Sequence, residues 1–178
     1  MNAALPVFLI MQIVFCGDSI TKGWERYNLF DQPQKVFING VNSCTSADIL
    51  NRIEPIARKK PHKLFLMIGI NEINAQNRII DNYEKIIDKI QELSPYTLIY
   101  VQSILPTRRS DIDNTVILAT NQRLKDLCEG RNHFVRYLDL YEAFVAHDGK
   151  LGPNFTDDGI HLTRNGYSLW KKLITSQL

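Results

Sequence analysis

Ile13-Val14-Phe15-Cys16-Gly17-Asp18-Ser19-Ile20-Thr21-Lys22-Gly23 is the stretch on which the reading of this chain turns. Ile13 to Cys16 are consecutive apolar residues, the pattern of a strand buried on both faces, and Gly17-Asp18-Ser19 breaks that pattern at its carboxyl end. Open α/β sheets place their ligands at that end of their strands. A serine there, opening a short helix, projects from a rigid element, and the free amide N–H groups of the helix can steady a developing anion beside it. Ser19 is therefore the candidate nucleophile. The competing reading is that Asp18 or Ser19 simply caps a helix, a common use of both residue types.

Working outward, strands and helices alternate. Val36-Phe37-Ile38 reads as a second strand closed by Asn39-Gly40, and Thr45 or Ser46 then opens a helix that ends by Lys60-Pro61. Leu64-Phe65-Leu66-Met67-Ile68 is the clearest buried strand and stops at Gly69-Ile70-Asn71-Glu72. A helical stripe covers 79–93, a fourth strand Leu98 to Val101, a helix 115–128 with Gly130 as its stop, and a fifth strand 134–138. Between the first two strands, Trp24 to Gln34 reads as a short helix and a loop, and a last helix spans 163–178. The alternation predicts a three-layer α/β/α architecture around a parallel sheet of about five strands. Right-handed crossovers then bring Ser19, Gly40 and Asn71 to one sheet edge.

The length of 178 residues suits one domain, 1–178. A net charge of +2 argues against a polyanionic partner, so neither nucleic acid nor stable membrane insertion is expected. Three scattered cysteines, with no C-x-x-C pair, suggest neither a disulfide framework nor a metal site, and free thiols fit the cytoplasm. Residues 1–11 are apolar, but they carry no basic flank or cleavage site and are too short for a membrane span. They read as a segment leading into the first strand, and Met11 is an alternative start.

The last polar cluster is Thr156-Asp157-Asp158-Gly159-Ile160-His161-Leu162. A carboxylate three residues before an imidazole can hold its Nδ1–H while Nε2 faces a serine, which makes His161 the candidate base and Asp158 its orienter. Acyl transfer also needs donors for the oxyanion, and the candidates are the Ser19 amide, the Gly40 amide and the Asn71 side-chain amide.

Gly17-Asp18-Ser19-Ile20 resembles the nucleophile block of the GDSL esterases, or SGNH hydrolases. Gly40 resembles the second block, Gly69-Ile70-Asn71-Glu72 the third and Asp158-Gly159-Ile160-His161-Leu162 the last, all in the family's order. The resemblance implies a flavodoxin-like fold, a Ser19-His161-Asp158 triad, an oxyanion hole of Ser19, Gly40 and Asn71, and no cofactor or metal. Two residues depart from the pattern: Ile20 replaces leucine, and Glu72 stands where aspartate is usual, which puts the hydrogen bonding of that loop in question. Ser103-Ile104-Leu105-Pro106-Thr107 also looks like the proline segment of members akin to carbohydrate esterases or platelet-activating-factor acetylhydrolase.

The activity expected from this is hydrolysis of small esters, with O-acetyl groups on a carbohydrate or similar small molecule favoured. Two alternatives stand beside it. A lysophospholipase or thioesterase would need an apolar trough, for which Trp24, Tyr27, Leu29 and Phe30 are candidates; a non-catalytic binding module would draw on Glu72.

Overall fold

A computed structural model describes residues 12–30, 35–131 and 133–178. The expected lead-in at 1–11 and the far end of the 24–34 segment lie outside the described residues. The sheet is formed by β1 (Ile13–Gly17), β2 (Val36–Gly40), β3 (Lys63–Met67), β4 (Leu98–Gln102) and β5 (Val135–Leu138). All neighbours are parallel, in the order β2-β1-β3-β4-β5. This is the flavodoxin-like doubly wound order, with its switch point between β1 and β3. Helices cover both faces. They are α1 (Ser19–Lys22), α2 (Ser46–Ala57), α3 (Gln76–Leu93), α4 (Asn114–Glu129), α5 (Tyr141–Phe144) and α6 (Arg164–Ile174).

Strand alternation sorts the core. Phe15, Phe65 and Tyr100 stand side by side in register on β1, β3 and β4, their rings stacked at centroid distances of 4.7 Å each. Trp24 closes over Phe15 and meets Trp170 of α6, whose indole N–H donates to Gln102 Oε1 at 2.7 Å. The aromatic face thus fastens the last helix to the first strand. On the other face α2 packs against α3 and α3 against α4, over Ile49, Ile53, Ile86 and Ile117, all buried.

Boundaries differ from the sequence expectation where side chains, rather than hydrophobic period, set them. α3 begins at Gln76 instead of residue 79, because Gln76 Nε2 donates to Val116 O and Thr120 Oγ1 and so belongs to the helix pair despite its polarity. The final helix ends at Ile174 and gives way to a 3-10 turn, Thr175–Gln177. Strand β2 runs on through Asn39-Gly40, and a 3-10 turn, Gly23–Arg26, follows α1 directly. The one-turn helix α5 carries no periodic signal and was not anticipated. Among the described residues no helix is long and apolar enough to cross a membrane.

Candidate active site

The β1 strand ends at Gly17, and the buried Asp18 caps α1 by accepting the Ile20 N–H at 2.9 Å. The capping role falls to Asp18, which leaves Ser19 Oγ to face His161. Burial pushes the Asp18 carboxyl up to about 6 from an ordinary 3.8, against backbone hydrogen bonds from Ile20 and Thr21 and the pull of His161.

That shift has a sign. Between pH 4 and 6 the folded protein holds a proton that the unfolded chain releases, so this group makes stability fall as pH rises across that window, by up to about 3 kcal/mol. Asp18→Asn keeps the acceptor for Ile20 and removes the charge. The expected result is that the melting temperature of the variant relative to the parent climbs from pH 4 to pH 6, as read by thermal denaturation at matched ionic strength.

His161 lies in a turn built around the Asp158 side chain. Asp158 Oδ1 accepts the backbone N–H groups of Ile160 and His161 at 3.0 and 2.8 Å, and Oδ2 lies 2.6 Å from His161 Nδ1. Partial burial pushes the Asp158 carboxyl upward, but the hydrogen bonds from the His161 ring and these backbone groups outweigh it and hold the group at about 2. An ionised carboxylate only accepts, so Nδ1 carries the ring proton and Nε2 presents its lone pair. His161 Nε2 is 2.9 Å from Ser19 Oγ.

The turn is anchored from below. Gly159, at φ +89°, takes a left-handed conformation that favours glycine. Its carbonyl accepts from Thr107 Oγ1 and from the Arg108 N–H, both at 2.7 Å. Thr107 is fully buried and is itself tied to Asn114 through its backbone N–H and C=O. The segment after β4 is therefore the shelf on which the histidine turn rests. The proline-segment resemblance pointed to this stretch without giving Thr107 its role.

Asn71 reaches the same cavity as Ser19 and His161, and its Nδ2 donates one hydrogen to Cys44 O at 2.9 Å. Gly40 does not reach it. A Cβ at Gly40 would lie 2.2 Å from Lys22 N, so the residue is a glycine because α1 crosses directly over it. Val41 N–H bonds Gly17 O, and strand alternation then turns the Gly40 N–H away from β1, toward the outer edge of the sheet. The residues of this segment that line the cavity are Asn42 and Ser43. Ser43 sits at φ +57°, an unusual conformation for a non-glycine residue. Nothing in the bare sequence marks that angle.

The sequence profile of the GDSL-like Lipase/Acylhydrolase family matches residues 15–169. The chain belongs to that family. As a GDSL-like acylhydrolase it is a carboxylic ester hydrolase. It is similar to the platelet-activating factor acetylhydrolase IB subunit alpha2 of Rattus norvegicus, with 26% identity over 166 residues, covering 88% of this chain and 71% of the relative. Among solved structures it resembles a GDSL-like lipase from Bacteroides thetaiotaomicron, with a TM-score of 0.81 at 23% identity, covering 98% of this chain and 91% of that one. It also resembles a carbohydrate esterase family 3 protein from Talaromyces cellulolyticus, with a TM-score of 0.72 at 21% identity over 94% of this chain and 96% of the other. At these identities the structural likenesses concern the fold.

In this GDSL chain the departure at Glu72 has a structural answer. The Glu72 side chain is buried, accepts the Ser46 backbone N–H at the start of α2, and is gripped by Arg78 Nε at 3.0 Å. The carboxylate thus meets the positive end of a helix. It ties the Asn71 turn to α2, and Asn82 Nδ2 supports the same point by donating to Ser46 Oγ at 2.8 Å. A second clamp is Arg52, whose Nη2 donates to Gly17 O and Asn39 O while Nη1 donates to Asn39 Oδ1. Arg52 binds the ends of β1 and β2 together beneath the site, and the sequence reading gave it no role.

Proposed function

We propose that this protein hydrolyses esters of small acyl groups through an acyl-enzyme at Ser19, with O-acetyl groups on a carbohydrate or similar small molecule as its substrate class. The observation that carries the reading is the unbroken relay from Asp158 through His161 to Ser19 Oγ, opening onto a polar cavity. Ser19 Oγ attacks the ester carbonyl as His161 Nε2 takes its proton, and the imidazolium is steadied by Asp158. His161 returns the proton to the departing alkoxide. Water, deprotonated by the same nitrogen, then releases the acid and restores Ser19.

The oxyanion of each tetrahedral intermediate is assigned to the Ser19 amide, the second Nδ2 hydrogen of Asn71 and the Ser43 amide. Ser43 takes the place expected of Gly40. Its support is that Ser43 lines the cavity in a left-handed turn and its N–H bonds no other backbone carbonyl among the described residues. The loop is held in that shape by the Cys44 N–H on Val41 O and by Asn71 on Cys44 O.

Short acyl groups are favoured because the cavity, of about 480 Å³, is lined largely by polar residues, with Ile160, Leu162 and Tyr167 its large apolar members among the described residues. The four residues weighed as an acyl trough are placed elsewhere: Trp24 is 2% exposed, Phe30 packs on Phe15 and Trp24, and Tyr27 packs on Tyr167. None of them, nor Leu29, lines the cavity. The long-chain reading therefore loses its apolar wall. The binding-module reading loses its support as well, since Glu72 fastens the Asn71 turn.

The test compares p-nitrophenyl acetate with p-nitrophenyl octanoate. A kcat/KM for acetate at least about 10-fold higher is the expected result, because a polar wall returns little binding energy for added methylenes. A preference for octanoate would overturn the small-acyl assignment.

A further inference from the structure

The three proposed oxyanion donors come from three separate segments: Ser19 from the turn after β1, Ser43 from the loop after β2 and Asn71 from the turn after β3. Such donors stabilise a tetrahedral intermediate only when they converge on one point to within about 0.5 Å. The segments therefore need a common support. Arg52, half-buried on α2, reaches all of them. Its Nη2 is shared among Gly17 O at 3.2 Å, Asn39 O at 3.3 Å and Cys44 Sγ at 3.5 Å, and its Nη1 donates to Asn39 Oδ1. Gly17 lies two residues before Ser19. Cys44 follows Ser43 directly, and its carbonyl is the acceptor that orients Asn71 Nδ2.

The partners of this guanidinium among the described residues are neutral carbonyls, an amide and a thiol. Asp48, one helical turn before it, is taken up instead by the Thr45 backbone N–H and hydroxyl at 2.8 and 2.7 Å. Arg52 is thus spent on geometry, through the planar fork that sets several acceptors at fixed spacing. It does not line the cavity.

From these contacts we infer that Arg52 is a positioning residue for the oxyanion hole, its guanidinium holding the Ser19, Ser43 and Asn71 donors at the spacing the tetrahedral intermediate requires. The inference rests on the acyl-enzyme reading above. Asp158 and His161 hang from a different support, the Thr107 shelf after β4, so loss of Arg52 leaves the proton relay in place and loosens only the hold on the anion. Its effect then falls on the transition state and hardly on the bound ester.

The experiment measures p-nitrophenyl acetate hydrolysis and inhibition by 1,1,1-trifluoroacetone, which adds to a serine hydroxyl to give a tetrahedral hemiketal bearing an anionic oxygen. In Arg52→Gln, kcat is expected to fall about 10- to 100-fold, less than the 10²- to 10³-fold typical of removing a donor outright, with KM within about 3-fold. The inhibition constant of the ketone should rise by the same factor as kcat falls, and the acid limb of the pH profile should stay where it is. Arg52→Lys keeps the charge without the fork and should lose nearly as much. Asn39→Ala frees only Nη1 and leaves Arg52 in place. It should cost about 3- to 10-fold in the same direction, and it decides the matter if the Arg52 variants melt below the assay temperature. Arg58→Gln removes a cation from the far end of the same helix, where Arg58 pairs with Glu54, and should match the parent. A rise in KM alone, a kcat loss with an unchanged inhibition constant, a displaced acid limb, or full activity in Arg52→Lys overturns the inference and leaves the esterase standing. A parent protein inert toward both ester and ketone overturns the acyl-enzyme reading and this inference with it.

Discussion

Ser19→Ala is expected to lower kcat on p-nitrophenyl acetate by about 10⁴- to 10⁶-fold, with KM little changed. The size follows from the chemistry. In the proposed acyl-enzyme route the hydroxyl forms the bond that divides one difficult displacement into two easier ones, and among the described residues His161 Nε2 is bonded to Ser19 Oγ. What survives is the contribution of the oxyanion donors and of binding, which neither needs the Ser19 oxygen nor replaces it. The fold should tolerate the change, because among the described residues Ser19 Oγ is bonded to His161 alone. Melting temperatures of the two proteins should therefore agree within a few degrees. A fluorophosphonate should add its mass to the parent protein and leave the variant unlabelled. A variant that kept its activity, or that still took the label, would remove Ser19 from the chemistry.

Asp158→Asn is expected to cost about 10³- to 10⁴-fold in kcat, the second largest effect. Asparagine can still accept the backbone N–H groups of Ile160 and His161, so the turn persists. Its amide, however, can also donate to His161 Nδ1. That selects the tautomer with the proton on Nε2, which points a donor at Ser19 where an acceptor is needed. The half-exposed position of Asp158 lets water compete for the ring, so the lower end of the range applies here. In the parent, Asp158 is held at about 2, so it stays ionised across the working range. Its contribution to stability is present above the ordinary carboxylate value of 3.8 and is lost as pH falls through about 2, whereas the activity defect of the asparagine variant persists at neutral pH. A variant with activity within ten-fold of the parent would mean that His161 is oriented by something else.

Much of this was legible in the sequence because its signals are local. Buried parallel strands print continuous apolar runs, and Phe15, Leu66 and Val101 lie in three of them. Asp158 and His161 fall within one turn, so their spacing alone specifies the pairing. What stayed hidden depends on angles or on contacts between distant segments. Gly40 attracted a donor role because it follows an apolar run, yet its lack of a side chain answers to the passage of α1, and only the backbone shows Ser43 in the left-handed region. Thr107 and Arg52 carry ordinary side chains whose partners, Gly159 and the ends of β1 and β2, lie elsewhere in the chain. The aromatic residues after Ser19 read as packing more readily than as a trough, and it takes their contacts with Phe15, Tyr167 and Trp170 to decide for packing.

The bond between Ser19 and His161 joins residues 142 positions apart. During synthesis the chain grows from its amino terminus at about 5 to 20 residues per second. All five strands are complete by Leu138, before His161 has been added. A nascent chain can therefore hold these five strands, with Ser19 at the end of β1, before the proposed base has been added. Tyr167, whose hydroxyl donates to Ile20 O at 2.6 Å, draws the late segment onto the early one. Under the proposed mechanism, nucleophile and base are therefore brought together only when α6 docks on α1.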